Sequence, residues 1–91
     1  MKFFPYRTFA FWYRTKITSA YNNQKRACHY LGISHGIMNR YCNGSDLPSL
    51  RFFVKSIRKC CDILDEDLNQ TLLEGLALIP NDKPTEFDNE V

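Results

Sequence analysis

Three side chains near the middle of the 91-residue chain are spaced to act together: His35, Asn39 and Asn43, at i, i+4 and i+8. On a helix such residues share one face. Their groups are short hydrogen-bond donors and acceptors of the kind that meet base edges. Asn39 can bind adenine in bidentate fashion, His35 can donate to guanine, and Arg40 beside them can pair with guanine or clamp a phosphate. Ile37 suits contact with a thymine methyl, and Gly36 removes bulk where a helix must approach a surface closely.

Other chemistries find less support. Cys28, Cys42, Cys60 and Cys61 show no zinc-ligand spacing. The adjacent pair is poorly placed to bridge itself, so all four are expected to be reduced thiols packed as small hydrophobes. No metal or cofactor is expected. Cys28 and His29 are neighbours, and on a helix neighbours point about 100° apart, which rules them out as a nucleophilic dyad. No Ser/His/Asp arrangement, paired-carboxylate site or phosphate-cradling glycine loop is present, and no enzyme is expected.

Charge is distributed unevenly. Residues 1–60 hold eleven lysines and arginines against one acid, Asp46, whereas residues 61–91 hold nine acids and only Lys83. A basic body with an acidic end suits a polyanionic partner. Charged residues interrupt every apolar run, so no membrane span is expected. Arg7 and Arg14 likewise divide the aromatic N-terminal stretch, and no small-residue cleavage site follows. A cytoplasmic, nucleoid-associated protein is expected.

The elements that must position these residues are helices. Phe9, Tyr13, Ile17 and Ala20 recur at helical spacing and predict a first helix over about 6–20, opened by Pro5. Phe11, Trp12 and Tyr21 are read as cover for the core or a contact between copies. Asn22 and Asn23 end that helix and offer a cap to a second, 24–31, with Ala27 and Leu31 inward. Gly32 allows a left-handed reversal, Ile33 plugs the elbow, and Ser34 caps a third helix over about 35–42. Asn43-Gly44 stops it. Ser49 caps a fourth helix with an apolar stripe of Leu50, Phe53, Ile57, Cys60/Cys61 and Leu64. Asp65, Glu66 and Asp67 are expected in the first turn of a fifth helix, where the dipole favours acids. Leu68, Leu72, Leu76 and Ile79 line that helix, Gly75 weakens it by about 1 kcal/mol, and Pro80 ends it. Residues 80–91 are nearly devoid of apolar side chains and read as a flexible acidic tail.

Two short helices joined by a tight glycine turn form a helix-turn-helix, whose second helix can lie in the major groove. Ala27, Leu31, Ile33, Met38 and Tyr41 would face inward, and His35, Gly36, Asn39, Arg40 and Asn43 outward. The segment "QKRACHYLGISHGIMNRYCNG" with the following "LPSLRFFVKSIRKCCDIL" resembles the Cro/lambda-repressor-like (XRE-type) helix-turn-helix family. Gln24, Gly32, Ile33, Ser34, Met38, Gly44 and Pro48-Ser49-Leu50 carry the likeness, over about residues 22–64. The resemblance implies an all-α, compact five-helix lambda-repressor-like domain over residues 1–79, with the helix-turn-helix unit at 24–43. It places Gln24, Ser34, His35, Gly36, Asn39 and Arg40 at that family's DNA-contacting positions, Gln24 on a phosphate. Cys28 stands where the family prefers alanine, and Cys42 where it commonly has glutamate.

The function expected is a sequence-specific regulator of transcription, repressor or activator, of phage or mobile-element type. It would bind double-stranded DNA at a palindromic operator as a homodimer. The reading residues are His35, Gly36, Ile37, Asn39 and Arg40, with Gln24, Lys25, Ser34, Asn43 and Lys55 on phosphates. The basic residues of the fourth helix admit two readings, a solvated face or further phosphate contacts. The fifth helix, 66–79, either forms the dimer contact through Leu68, Leu72, Leu76 and Ile79 or closes the monomer's own core. The alternative function on the same fold is an antitoxin or adaptor that binds a protein partner through the acidic tail.

Overall fold

Positions 9, 13, 17 and 21 hold Phe, Tyr, Ile and Tyr, one every four residues, and this spacing builds the helix around which the rest of the chain packs. The structure, a computed structural model, describes residues 4–82 and the side chains of residues 4–79. Among the described residues there are five helices and no strand: α1 (Arg7–Tyr21), α2 (Gln24–Leu31), α3 (His35–Asn43), α4 (Leu50–Leu64) and α5 (Leu68–Asp82). The expected flexible tail lies outside this description from residue 83 onward.

α1 buries Phe9, Ala10, Tyr13, Ile17 and Tyr21, and every other helix packs against it. The remaining helices form two pairs, α2 with α3 and α4 with α5. Phe9, Tyr13 and Phe53 join the rings of α1 and α4 at centroid separations of 5.6 to 6.4 Å, and Trp12 sits beside them. Within this cluster Tyr13 Oη lies 2.7 Å from Ser56 Oγ, and Ser56 Oγ lies 3.1 Å from the Phe53 carbonyl. A carbonyl only accepts, so Ser56 donates to it and Tyr13 donates to Ser56. Burial pushes the Tyr13 hydroxyl well above its ordinary range.

The helix ends follow from local chemistry. Asn22 takes a left-handed φ of 78° and closes α1, and Asn23 Oδ1 accepts from Arg26 N at 2.8 Å to cap α2. Ser49 Oγ caps α4 through Phe52 N. The acids at 65–67 depart from expectation, because none enters the first turn of α5. Asp65, at φ 59°, closes α4, Glu66 pairs with Lys16 at 2.8 Å, and Asp67 Oδ2 caps α5 through Gln70 N. The carboxylates of Glu66 and Asp67 thereby meet a specific cation and a specific donor, and Asp65 serves through its backbone.

Four further expectations about packing are corrected. Gly75 is more than a weak point, because the Trp12 ring lies where its side chain would be, 2.5 Å from an ideal Cβ. Pro80 does not end α5, whose backbone runs to Asp82. A proline there removes one i→i−4 hydrogen bond, and the helix stops two residues later. Leu50 is 68% exposed. It lies on the core side of α4 but at the helix start, beyond the elements that would cover it. Finally, Leu68, Leu72 and Ile79 pack against the protein's own core, so of the four expected dimer residues only Leu76 is exposed. The inward stripe of α5 takes in buried Thr71 and Gly75 instead, small residues that let α5 approach α1 closely.

Candidate nucleic-acid interface

The basic part of the chain contains two short helices, α2 and α3, joined by a tight turn. Gly32 ends α2 at φ 73° and its N–H bonds to the Cys28 carbonyl at 2.8 Å. Two residues later Ser34 Oγ accepts from Ile37 N at 3.2 Å and starts α3. Such a reversal needs a residue that tolerates positive φ followed at once by a capping side chain. Ala27, Leu31 and Met38 are fully buried across the α2–α3 contact, while Ile33 and Tyr41 are half-buried.

Cys42, which the sequence pattern leaves unexplained, is the second buried anchor of α3. Desolvation raises its thiol pKa to about 11, with Cys28 close enough to add to the rise and Arg14 opposing it. Where the resembled family commonly has glutamate, this chain therefore has an apolar attachment point. All four cysteines are free and buried, as their reading as small hydrophobes requires. Burial also raises the Cys28 thiol, and that of Cys60 to about 12.

Met38 and Cys42 fix which way α3 faces. At about 100° per residue, the direction opposite them falls within about 20° of Arg40, with Gly36 one turn earlier on the same line. His35, Gly36, Ile37, Asn39 and Arg40 are all exposed, and no atom lies within 4 Å of an ideal Cβ on Gly36. The outward face is thus centred on Gly36 and Arg40, with Asn39 on one flank and Ile37 on the other, while His35 is exposed in the first turn but lies towards the side of the anchors.

The residues expected on phosphates are placed more variously. Ser34 is exposed, and its hydroxyl, already an acceptor from Ile37 N, retains its proton to donate. Lys25 is exposed and Gln24 half-buried at the start of α2. Lys55 is exposed one turn after Phe52, whose ring meets Tyr41 of α3 at 5.8 Å. Asn43 is half-buried and engaged: its Oδ1 accepts from Ser45 N at 3.0 Å and from Ser45 Oγ at 2.9 Å. Its oxygen serves the turn after α3, leaving only the amide end for other contacts.

That turn supplies residues not foreseen. Ser45 Oγ and Asp46 N both meet the Arg40 carbonyl, at 3.4 and 3.3 Å, and Asp46 Oδ2 lies 3.5 Å from Arg40 Nε. The lone acid among the first sixty residues therefore stands beside the central outward cation. Its isolation in a basic stretch was the available signal.

No helix among the described residues is long and apolar enough to cross a membrane. The chain matches no known family, curated protein or solved structure when compared with them.

Proposed function

We propose that the protein is a sequence-specific DNA-binding regulator of transcription. α2 and α3 act as a helix-turn-helix of the lambda-repressor type, and α3 reads the major groove of double-stranded DNA. The observation that carries this reading is the outer face of α3, where Gly36 and Arg40 stand exposed opposite the anchors Met38 and Cys42, with Asn39 exposed on its flank and His35 exposed at the helix start. Arg40 suits guanine and Asn39 adenine, while Gly36 leaves room for the helix to sit deep. Lys25, Ser34 and Lys55 set affinity on the backbone, and the excess of cations over residues 1–60 supplies the attraction that salt weakens.

One nine-residue helix contacts few base pairs, so useful selectivity calls for two copies on a palindromic site. We place the contact between copies on the exposed apolar residues Leu50, Leu73 and Leu76, which are 68%, 67% and 40% accessible. No catalytic role is assigned, and the site of action is the nucleoid in the cytoplasm.

Selection of binding sites from a random duplex pool, followed by gel-shift titration over a salt series, tests the proposal. A symmetric consensus whose affinity falls steeply with salt is expected. Asn39→Ala should relax preference at one base pair, and Lys55→Ala should weaken all sequences alike. Binding without sequence preference, or without salt dependence, overturns the reading.

A further inference from the structure

The turn that follows α3 is held more firmly than a solvent loop requires. Gly44 adopts φ 92° and its carbonyl accepts from Tyr6 N at 3.0 Å, which ties the turn to the start of α1. On the other side, Asn43 Oδ1 and the Arg40 carbonyl together accept from three donors, Ser45 N, Asp46 N and the Ser45 hydroxyl, which lies nearer Asn43 Oδ1 at 2.9 Å. The product of this wrapping is the placement of one carboxylate, Asp46, against Arg40 Nε at 3.5 Å. Both side chains remain more than half exposed, so the pair is poorly suited to stabilising the fold.

We propose that Arg40 and Asp46 form one recognition unit, in which Asp46 is a positioning residue that makes Arg40 a reader of guanine and not a phosphate clamp. This inference rests on the reading of α3 as the helix that enters the groove. Three arguments carry it. The contact runs through Nε, which leaves the Nη edge of the guanidinium for a bidentate partner outside the chain, and guanine O6 and N7 match that fork. A carboxylate beside the cation cancels its charge, so the pair gains little from counterion release on a phosphate and is repelled there. Pinning the long side chain before binding lowers the ordering cost of a planar, directional contact. The remaining Asp46 oxygen can accept from cytosine N4, which extends the readout to a C·G neighbour.

The test uses the full chain and the consensus duplex from pool selection, with single-base-pair variants of that duplex and an unrelated duplex. Asp46→Asn keeps the size of the side chain and removes its charge. It should strengthen binding to the unrelated duplex and steepen the salt slope by about one. At one G·C pair it should reduce discrimination, which for a bidentate arginine contact is about tenfold or more, to a few-fold. In an Arg40→Ala background the same substitution should leave discrimination at that pair unchanged. The inference is overturned if Asp46→Asn leaves discrimination intact at every position, or if its effect at that G·C pair persists without Arg40. Sequence-selective binding combined with either result removes the Arg40–Asp46 unit alone. Wild-type protein without sequence preference removes the DNA-reading function and this inference with it.

Discussion

Gly75→Ala sets two physical effects against each other on α5. A helix former in place of glycine should stabilise a helix interior by about 1 kcal/mol. Here the added Cβ would lie 2.5 Å from Trp12 Cη2 and Cζ3 and 3.1 Å from Phe53 Cζ. Carbon atoms rest at about 3.5–4.0 Å, so the indole must retreat by about 1 Å. It has little room to do so, because the rings of Phe9 and Phe53 flank it at 5.8 and 6.2 Å. Overpacking of this kind costs about 1–3 kcal/mol, which exceeds the gain in helix propensity. A net loss of about 1 kcal/mol is expected, lowering the melting temperature by about 4–8 °C in a domain of this size. Denaturant titration followed by fluorescence is the assay, and Trp12 is the chain's single tryptophan, so the signal reports the disturbed contact itself. In a Trp12→Ala background, followed by circular dichroism because the tryptophan signal is gone, the sign should reverse and Gly75→Ala should stabilise. A variant more stable than its parent with Trp12 in place would refute the packing argument.

Three further outcomes follow from positions already described. Gly32→Ala places a side chain at φ 73° with nothing within 4 Å, whereas Gly44→Ala combines φ 92° with Arg7 backbone atoms at 3.0 Å. Denaturation should show a loss of about 1–2 kcal/mol for the first and more for the second, which adds a backbone clash to the strain. Tyr13→Phe leaves Ser56 bonded to the Phe53 carbonyl and should cost about 1 kcal/mol, whereas Ser56→Ala strands the buried Tyr13 hydroxyl and should cost up to about 3 kcal/mol. Thermal stability against pH should hold up to about pH 8 and then fall as the unfolded thiols ionise, until the folded thiols of Cys42 and Cys60 titrate at about 11 and about 12. Over that window the native state binds more protons than the unfolded one, so rising pH favours unfolding, and a Cys42→Ala/Cys60→Ala variant should show a flatter decline.

The helices were legible in the sequence because their signals are local. Four-residue spacing in α1, the asparagine and serine caps and the glycine at position 32 depend only on near neighbours. What was not legible depends on residues far apart in the chain. Nothing near Gly75 announces Trp12, 63 positions earlier, and nothing near Ser56 announces Tyr13. Cys42 read as an anomaly because its surroundings, Cys28 and Tyr13, belong to other helices. Leu68, Leu72 and Ile79 carry the same periodicity whether they face a second copy or α1, and only tertiary packing distinguishes the two. In the candidate site the exposed side chains of α3 were placed correctly by their spacing. The centring of that face on Arg40 was not, since it depends on Cys42 being an anchor. Asp46 was overlooked because it lies past the glycine that ends α3.

The central place of α1 also dictates when the fold can be completed during synthesis. Its buried residues are made first, between positions 9 and 21, yet the partners that cover them include α5, which begins at Leu68. Until that helix has left the ribosome, a helix rich in aromatic side chains has only part of its cover and α2–α3 rests on an unfinished support. Contacts this distant in sequence close late and slowly. The surface proposed to recognise DNA therefore acquires its fixed geometry only after nearly the whole described chain has emerged, which argues against a recognition-competent nascent fragment.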